Sequence, residues 1–314
     1  MRFLLRRLFL ALLMTLLTLT ITFILMNLVP GNPFSDEKGL SPEIKKSLDA
    51  HFGLDRPLIY QYFSYIYSFA TWDFGPSMQY PDVQIKDIIR NNFPVSFMLG
   101  MEVLFFSIAI GVFLGSLASY YRGGALEAQI FYMTMAFISV PSFCVGVLLQ
   151  YVFSVKLGWM PIAHLDNFWQ SILPTLSLSI FPIAYITTLT KEKTIETLKK
   201  TYVKTAFAKG LHPIVVMGKH VLPGSFFPLI GYLGQLTANI LVGSFVIEKI
   251  FAIPGLGGFF VQSVFARDYT VIMNLTAFYA LILSLCIFLS EILSIWLNPF
   301  EKQCLKDDGF YEKL

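Results

Sequence analysis

A chain of 314 residues that is 55% hydrophobic and only 14% charged does not have the composition of a soluble globular domain; its mean hydropathy is +0.65. The formal net charge of +3 is small and unevenly placed, so it marks no nucleic-acid partner. The three cysteines (Cys144, Cys286 and Cys304) show neither a disulfide framework nor metal-ligand spacing.

The apolar residues gather in blocks of about 20, the length that crosses a bilayer core at ~1.5 Å per residue. The first block, 8–29, follows Arg2, Arg6 and Arg7. Its apolar run is too long for a signal peptide and no small-x-small cleavage site precedes Pro30, so it reads as an uncleaved span. Thr15, Thr18 and Thr22 fall at helical spacing and give that span one mildly polar face, turned toward other helices. A long segment, 30–93, follows. It is rich in acids and carries the stretch "YQYFSYIYSFATW" at 60–72, whose aromatic residues suit a membrane interface.

Five more blocks, at 95–120, 128–155, 170–190, 225–247 and 272–297, complete the expectation of an all-α, polytopic membrane protein with six transmembrane helices. Pro141, Pro174 and Pro182 lie within or at the ends of these blocks, which membrane helices tolerate when neighbours satisfy the freed backbone groups. The second block carries a stripe, Ser107, Gly111, Gly115 and Ser119, that lets another helix approach closely. Packing within the chain is its first reading and a dimer seam its second. Glu102 and Glu291 are ionisable residues inside spans with no obvious Lys or Arg partner in a span. A charge at the bilayer centre costs at least about 2.5–3.5 kcal/mol, so both are functional candidates by default.

Lys and Arg in short loops set orientation. They collect at the N-terminus, at Arg122, through 191–219 and in the tail (Lys302, Lys306 and Lys313). All of these fall on one side, so both termini are expected to be cytoplasmic. The organisation follows: 1–94 is the first span plus a long extracytoplasmic segment, 95–300 a five-helix core containing a cytoplasmic loop at 191–224, and 301–314 a short cytoplasmic tail.

Several chemistries are excluded. A phosphate-cradling loop ending at Gly218-Lys219 would need Gly at 213 and Ser or Thr at 220, where Pro213 and His220 stand. No HExxH or GxSxG occurs, and His51, His164, His212 and His220 are scattered through loops. The expectation is a non-enzyme with no cofactor and no metal.

The segment "TYVKTAFAKGLHPIVVMGKHVLPG", 201–224, is the informative one. Lys191 to Lys209 can continue the fourth span as a helix. Val203, Phe207 and Leu211 form an apolar ridge at four-residue spacing, with Ala206 and Gly210 as a small-residue strip beside it. Gly210 is suited to end the helix in the left-handed conformation, and Pro213 to open a second short helix. A lump of this kind can insert into a groove on another protein. A polybasic loop that only sets topology and touches anionic lipid is the competing reading.

"YVKTAFAKGL" at 202–211 resembles the cytoplasmic-loop signature of ABC-importer permease subunits of the dipeptide/oligopeptide branch. The resemblance covers nearly the whole chain. It is carried by "LVPGNPF" at 28–34, "FGLDRPLIYQYFSYI" at 52–66, "WDFGPS" at 72–77, "SVPSFCVGVLL" at 139–149, "EKIFAIPGLGGFFVQSVFARDY" at 248–269 and "EILSIWLNP" at 291–299. Departures are Phe207 for a usual basic residue, Leu222-Pro223-Gly224 for a usual Arg-Asn-Ala, Glu102 one turn beyond a usual glutamate position near Met98, Thr270 for a usual proline and Phe300 for a usual arginine.

The resemblance implies one half of an importer. Its partners would be a second homologous permease subunit, two ATP-binding cassette ATPase subunits and an extracytoplasmic substrate-binding protein, with membrane lipid around it and no nucleic acid. It also implies an ATPase-docking loop carried by Tyr202, Ala206, Phe207, Ala208, Lys209, Gly210 and Leu211, and peptide as the cargo. The alternatives are a stand-alone secondary transporter or channel driven by an ion gradient, and a membrane assembly factor that moves no solute.

Overall fold

A computed structural model of the protein describes residues 2–28, 42–162, 165, 167–243 and 245–297. The motif residues 29–34 and 298–300, His164 and the 301–314 tail with Cys304 lie outside these. Among the described residues the chain is helical throughout and forms no strand. Five helices are long and apolar enough to cross a bilayer: Leu5–Leu28, Ile85–Tyr120, Phe168–Leu198, Leu229–Ile250 and Tyr269–Leu297. A bent pair, Ala125–Ser139 with Ser142–Lys156, turned through 98°, makes a sixth if the two helices form one span. The expected third span at 128–155, with Pro141 inside it, is interrupted there. Pro141 is the cause: the preceding Val140 is extended (φ −98°, ψ 125°), as a residue before proline is forced to be, and Pro141 then caps the next helix.

The chain forms two compact units. One joins the residues up to Ser96 with Pro254–Leu285; the other joins Phe97–Ile253 with the residues from Cys286 onward.

In the first unit, α1 (Arg2–Leu28) satisfies its own threonines. Thr15, Thr18 and Thr20 each donate to the carbonyl four residues back, at 3.0, 2.9 and 2.8 Å. A hydroxyl with no water around it finds its acceptor there at little cost. Thr15 and Thr22 are buried, and Leu19 and Phe23 pack with Tyr65 and Ala277. Helix α2 (Pro42–His51) is short, and α3 (Leu58–Thr71) is amphipathic. It buries Tyr65, whose hydroxyl donates to the Met273 carbonyl at 2.9 Å, and exposes Leu58, Tyr60, Phe63 and Tyr67.

Helix α4 (Ile85–Tyr120) then starts, and its first turns belong to this unit. A carboxylate knot holds the rest of the unit together. Asp268 is 2% exposed and accepts from the Ser77 hydroxyl, from Met78 N at 3.2 Å, from Thr270 Oγ1 at 2.9 Å and from Val271 N at 3.1 Å. It thereby caps the final helix and pins the 74–80 loop against it. The threonine hydroxyl at 270 is a donor that a proline there could not supply.

The second unit is built around α7 (Phe168–Leu198). Helix α5 (Ala125–Ser139) and α6 (Ser142–Leu149), which runs on through a π-helical segment at Gln150–Lys156, pack against it. The remainder of α4 does the same through its small residues. A Cβ added at Gly111 would lie 2.7 Å from Ile186 Cβ, and one at Gly115 would lie 2.6 Å from the Thr187 carbonyl. Ser107 and Ser119 on the same stripe are buried. Lys191 of α7 pairs with Glu127 of α5 at 2.7 Å. The chain continues through α8 (Thr201–Ala208), α9 (Pro213–Val216), α10 (Leu222–Gly243) and α11 (Phe245–Ile250); α12 (Leu256–Phe265) and α13 (Tyr269–Leu297) follow.

Asp268→Ala leaves several buried donors without an acceptor. At about 1–3 kcal/mol each, the loss is expected to exceed roughly 3 kcal/mol. Thermal unfolding in detergent should show a melting midpoint several degrees lower, with proteolysis opening the 74–80 loop first. An unchanged midpoint would mean that the knot does not hold the unit.

Candidate coupling site

The segment after α7 is a small folded body. The expected continuous helix from Lys191 to Lys209 is corrected. Helix α7 tightens over its last turn, with Lys199 N donating to the Glu196 carbonyl and Lys200 N to the Thr197 carbonyl, and Lys200 is then extended (ψ 145°). The break lets α8 fold back. Val203 and Ala206 become its buried face and form a core with Val216 and Val221, against which Leu198 and Met217 pack.

The apolar ridge of Val203, Phe207 and Leu211 is therefore split. Val203 is fully buried, whereas Phe207 and Leu211 are 44% and 39% exposed. Ala206 likewise points inward. A pattern of i, i+3 (203, 206) faces the core here, where four-residue spacing suggested a single outer row. Of the other candidate residues, Tyr202, Ala208, Lys209 and Gly210 are exposed. The Tyr202 hydroxyl lies over Gly224, 2.9 Å from where a Cβ would stand.

Helix α8 stops through two hydrogen bonds. Leu211 N donates to the Ala206 carbonyl at 3.5 Å and Gly210 N to the Phe207 carbonyl at 2.9 Å, with Gly210 left-handed at φ +76°. His212 caps α9, its Nδ1 accepting from Ile214 N at 3.4 Å, and Pro213 takes the first helical position.

The second helix does not end as a short one. It runs from Pro213 through a π-helical turn at Met217–Val221, in which Leu222 N donates to the Met217 carbonyl, directly into α10. Pro223 has no amide to continue an α-helical ladder, and a single wider turn absorbs the mismatch. Ser225 Oγ donates to Thr197 Oγ1 at 3.3 Å and ties the start of α10 to the end of α7.

The tip presents four exposed apolar side chains: Phe207, Leu211, Ile214 at 64% and Val215 at 46%, flanked by Lys204 and Lys209. Sequence reasoning missed Ile214 and Val215. The available signal was the run "PIVV" directly after a turn, too short to show which side would be covered.

The intramembrane acids are not part of this body. Glu102 is half-buried on α4, where its carboxylate accepts from Thr175 Oγ1 of α7 at 3.1 Å. Glu291 is half-buried on α13. Among the described residues no group of three or more His, Cys, Asp or Glu is placed to hold a metal.

Two family models match the chain: the binding-protein-dependent transport system inner membrane component over residues 107–303, and the N-terminal part of that membrane component over residues 1–99. The chain belongs to this family of binding-protein-dependent transport permeases. It is 42% identical over 299 residues to the dipeptide transport system permease protein DppB of Bacillus subtilis (strain 168), covering 95% of this chain and 97% of that one. It is 35% identical over 282 residues to the oligopeptide transport system permease protein OppB of Escherichia coli (strain K12), covering 88% and 91%. The fold is similar to that seen in inward-facing conformations of the MetNI methionine ABC transporter, with a TM-score of 0.57 at 17% identity, over 67% of this chain and 96% of that one. The permease is accordingly a multi-pass protein of the bacterial inner membrane.

Among the described residues nothing beyond its chain neighbours lies within 4 Å of a Cβ at 210, so a side chain there meets strain and no collision with them. A β-branched residue held left-handed costs about 1–2 kcal/mol, and asparagine costs less. Hydrogen exchange across 201–211 should speed up roughly tenfold in Gly210→Val and little in Gly210→Asn. Equal rates in both variants would show that the left-handed turn does not set the stability of α8.

Proposed function

We propose that this permease is one half of an ATP-driven importer for dipeptides or oligopeptides, and that the 191–224 segment is where a separate ATPase subunit docks. In this reading both termini and the docking segment face the cytoplasm. A second homologous permease completes the pathway, two ATPase subunits sit below, and an extracytoplasmic binding protein delivers cargo. The observation that carries the docking assignment is the exposed set Phe207, Leu211, Ile214 and Val215 on a body with its own buried core. A polybasic loop that served only topology would have no need of that core. The peptide assignment is supported by the names of the relatives.

The chain's own chemistry is recognition and leverage. ATP-driven closure of the partners moves the docked tip. The tip moves α7 and α10, because Leu198 packs on its core and Ser225 is bonded to Thr197. Transport requires that the tip be bound differently in the two states, since equal binding shifts no equilibrium.

Phe207→Glu and Ile214→Glu each place a charge in the proposed contact while altering only an exposed side chain. Central apolar anchors of an interface contribute upward of about 2 kcal/mol, so ATPase affinity should fall at least roughly thirtyfold. Co-purification and substrate-stimulated ATP turnover should both collapse, with the melting midpoint of the isolated permease unmoved. Retention of the ATPase by both variants would overturn the docking assignment. Solute flux through the permease reconstituted alone would overturn the half-importer reading and turn attention to Glu102 and Glu291.

A further inference from the structure

A span that faces lipid is apolar on its outward side, since hydrocarbon offers a polar group no partner. Helix α1 obeys this: between Leu8 and Leu25 every exposed residue is leucine, isoleucine, methionine or phenylalanine. On α13 the exposed residues from Leu283 to Leu297 are leucines and one tryptophan. Helix α10 reverses the pattern. Leu229, Ile230, Leu236, Ile240 and Leu241 are buried, whereas Gly231, Gln235 and Asn239, at four-residue intervals on one face, are exposed.

Both amides lie well inside the apolar span Leu229–Ile250. Thr237 on the same helix satisfies its hydroxyl on the Leu233 carbonyl at 2.7 Å. The side chains of Gln235 and Asn239 make no hydrogen bond among the described residues. Turned toward lipid, each would leave two donors and an acceptor unpaired in hydrocarbon. Polar side chains at this depth face a bundle interior or a water-filled cavity.

Helix α7 extends this face. It packs antiparallel to α10, tied to it by the Ser225–Thr197 bond and by the rings of Tyr185 and Tyr232, which stack with centroids 4.2 Å apart and planes at 24°. Between Ser177 and Thr190 the exposed residues of α7 are Phe181 and Tyr185, one turn apart. Asn239 lies about 10 Å further along α10 than Tyr232, so amides and aromatic rings form one continuous strip. The seams this chain makes between its own helices are built differently. Helix α4 meets α7 through Gly111 and Gly115, where an added Cβ would stand 2.7 and 2.6 Å from α7. Two long, rotatable amides beside an open glycine suit a changing occupant better than a close-packed helix.

We propose that Phe181, Tyr185, Gly231, Tyr232, Gln235 and Asn239 line a water-filled path through the membrane, and that Gln235 and Asn239 hold the backbone of a passing peptide. A carboxamide carries donors and an acceptor together, so it pairs with peptide N–H and C=O alike, whatever the sequence. The tyrosine pair offers cargo side chains a flat apolar surface that does not select among them. None of the six residues is charged, so cargo is held through its backbone and released readily. The peptide as occupant rests on the importer reading above; the water path rests on the reversed polarity of α10.

The test is cysteine accessibility of the full chain in native membrane vesicles, with Cys144, Cys286 and Cys304 replaced by alanine. A charged, membrane-impermeant methanethiosulfonate reacts with thiolate, which forms in water and not in lipid. Gln235→Cys and Asn239→Cys should therefore react at least about tenfold faster than Leu12→Cys on the exposed side of α1, and millimolar trialanine should slow both. Gln235→Leu and Asn239→Leu suit hydrocarbon and should leave the melting midpoint unmoved or raised. Each should raise the half-saturating trialanine concentration for uptake about tenfold, the loss of one hydrogen bond. Labelling no faster than at Leu12→Cys, or uptake indifferent to both leucines, would overturn the path. Loss of a second permease from the purified leucine variants would assign the amides to a subunit seam and overturn it too. Labelling that trialanine does not slow would overturn the peptide contact. Trialanine-protected labelling in a permease that moves trialanine without ATP would uphold the path and sink the half-importer reading.

Discussion

In hydrocarbon, a backbone amide or carbonyl has no water to turn to, so every place where a helix stops must supply its own partners. Helix ends outside the hydrocarbon carry the same orphan groups, and this chain satisfies them in the same way four times. Around the ends of α3, α8, α11 and α12 one residue donates back across the last turn: Asp73 to Ser68, Leu211 to Ala206, Ile253 to Glu248 and Asp268 to Ser263. The residue just before each donor is left-handed, at 72, 210, 252 and 267. Only one of the four, Gly210, is glycine. Trp72, Ala252 and Arg267 hold that conformation against about 1–2 kcal/mol each. Packing and hydrogen bonding offset the cost where they can be seen to. The Trp72 ring lies among Phe69, Phe74 and Phe278, with centroids 5.0–6.3 Å away. Phe251 and Ile253 flank Ala252 and are buried. Asp268, next to Arg267, is the hub of the carboxylate knot.

The same four stops mark what was legible in the sequence. Gly210 followed by Pro213 could be read as a stop and a restart, because glycine and proline carry their backbone preferences openly. The stops at Trp72, Ala252 and Arg267 could not be read, because the tertiary contacts that hold them come from residues up to about two hundred positions away. The spans were legible because a bilayer imposes length and apolarity on contiguous residues. The 98° break of the third was not, although Pro141 marked its place. Proline in a membrane helix can kink or break, and neighbours decide which.

Within 201–224 the failure is more instructive. Four-residue spacing put Val203 with Phe207 and Leu211, yet α8 spans only Thr201–Ala208, so Leu211 falls outside the helix and Phe207 lies at the margin of its buried face. Val203 and Ala206 then turn inward to Val216 and Val221, and the face left outside is one that spacing alone could not pick out. Periodicity says which residues share a face of a short helix but not which face its neighbours will cover. Here two extended residues, Lys200 and His212, reset the chain direction so that α8 and α9 pack on each other.

That reset is what makes the segment suited to leverage. A flexible loop docked on a moving partner would absorb the motion by bending. A tip with its own core passes it on, and this core is shared with the end of α7 through Leu198 and leads through a π-helical turn into α10. The π-helical turn costs one regular hydrogen-bond register, and no glycine-like freedom replaces it, because Met217 to Val221 stay helical. Displacement at Phe207 therefore has two covalent routes, one into α7 and one into α10, and these helices pack side by side. Helix α7 in turn meets α4 where Gly115 leaves no room for a methyl group against the Thr187 carbonyl. A contact that tight leaves no slack between α7 and α4, so on the proposed docking a shift entering α7 at Leu198 would reach α4 through the small-residue stripe about two to four turns away.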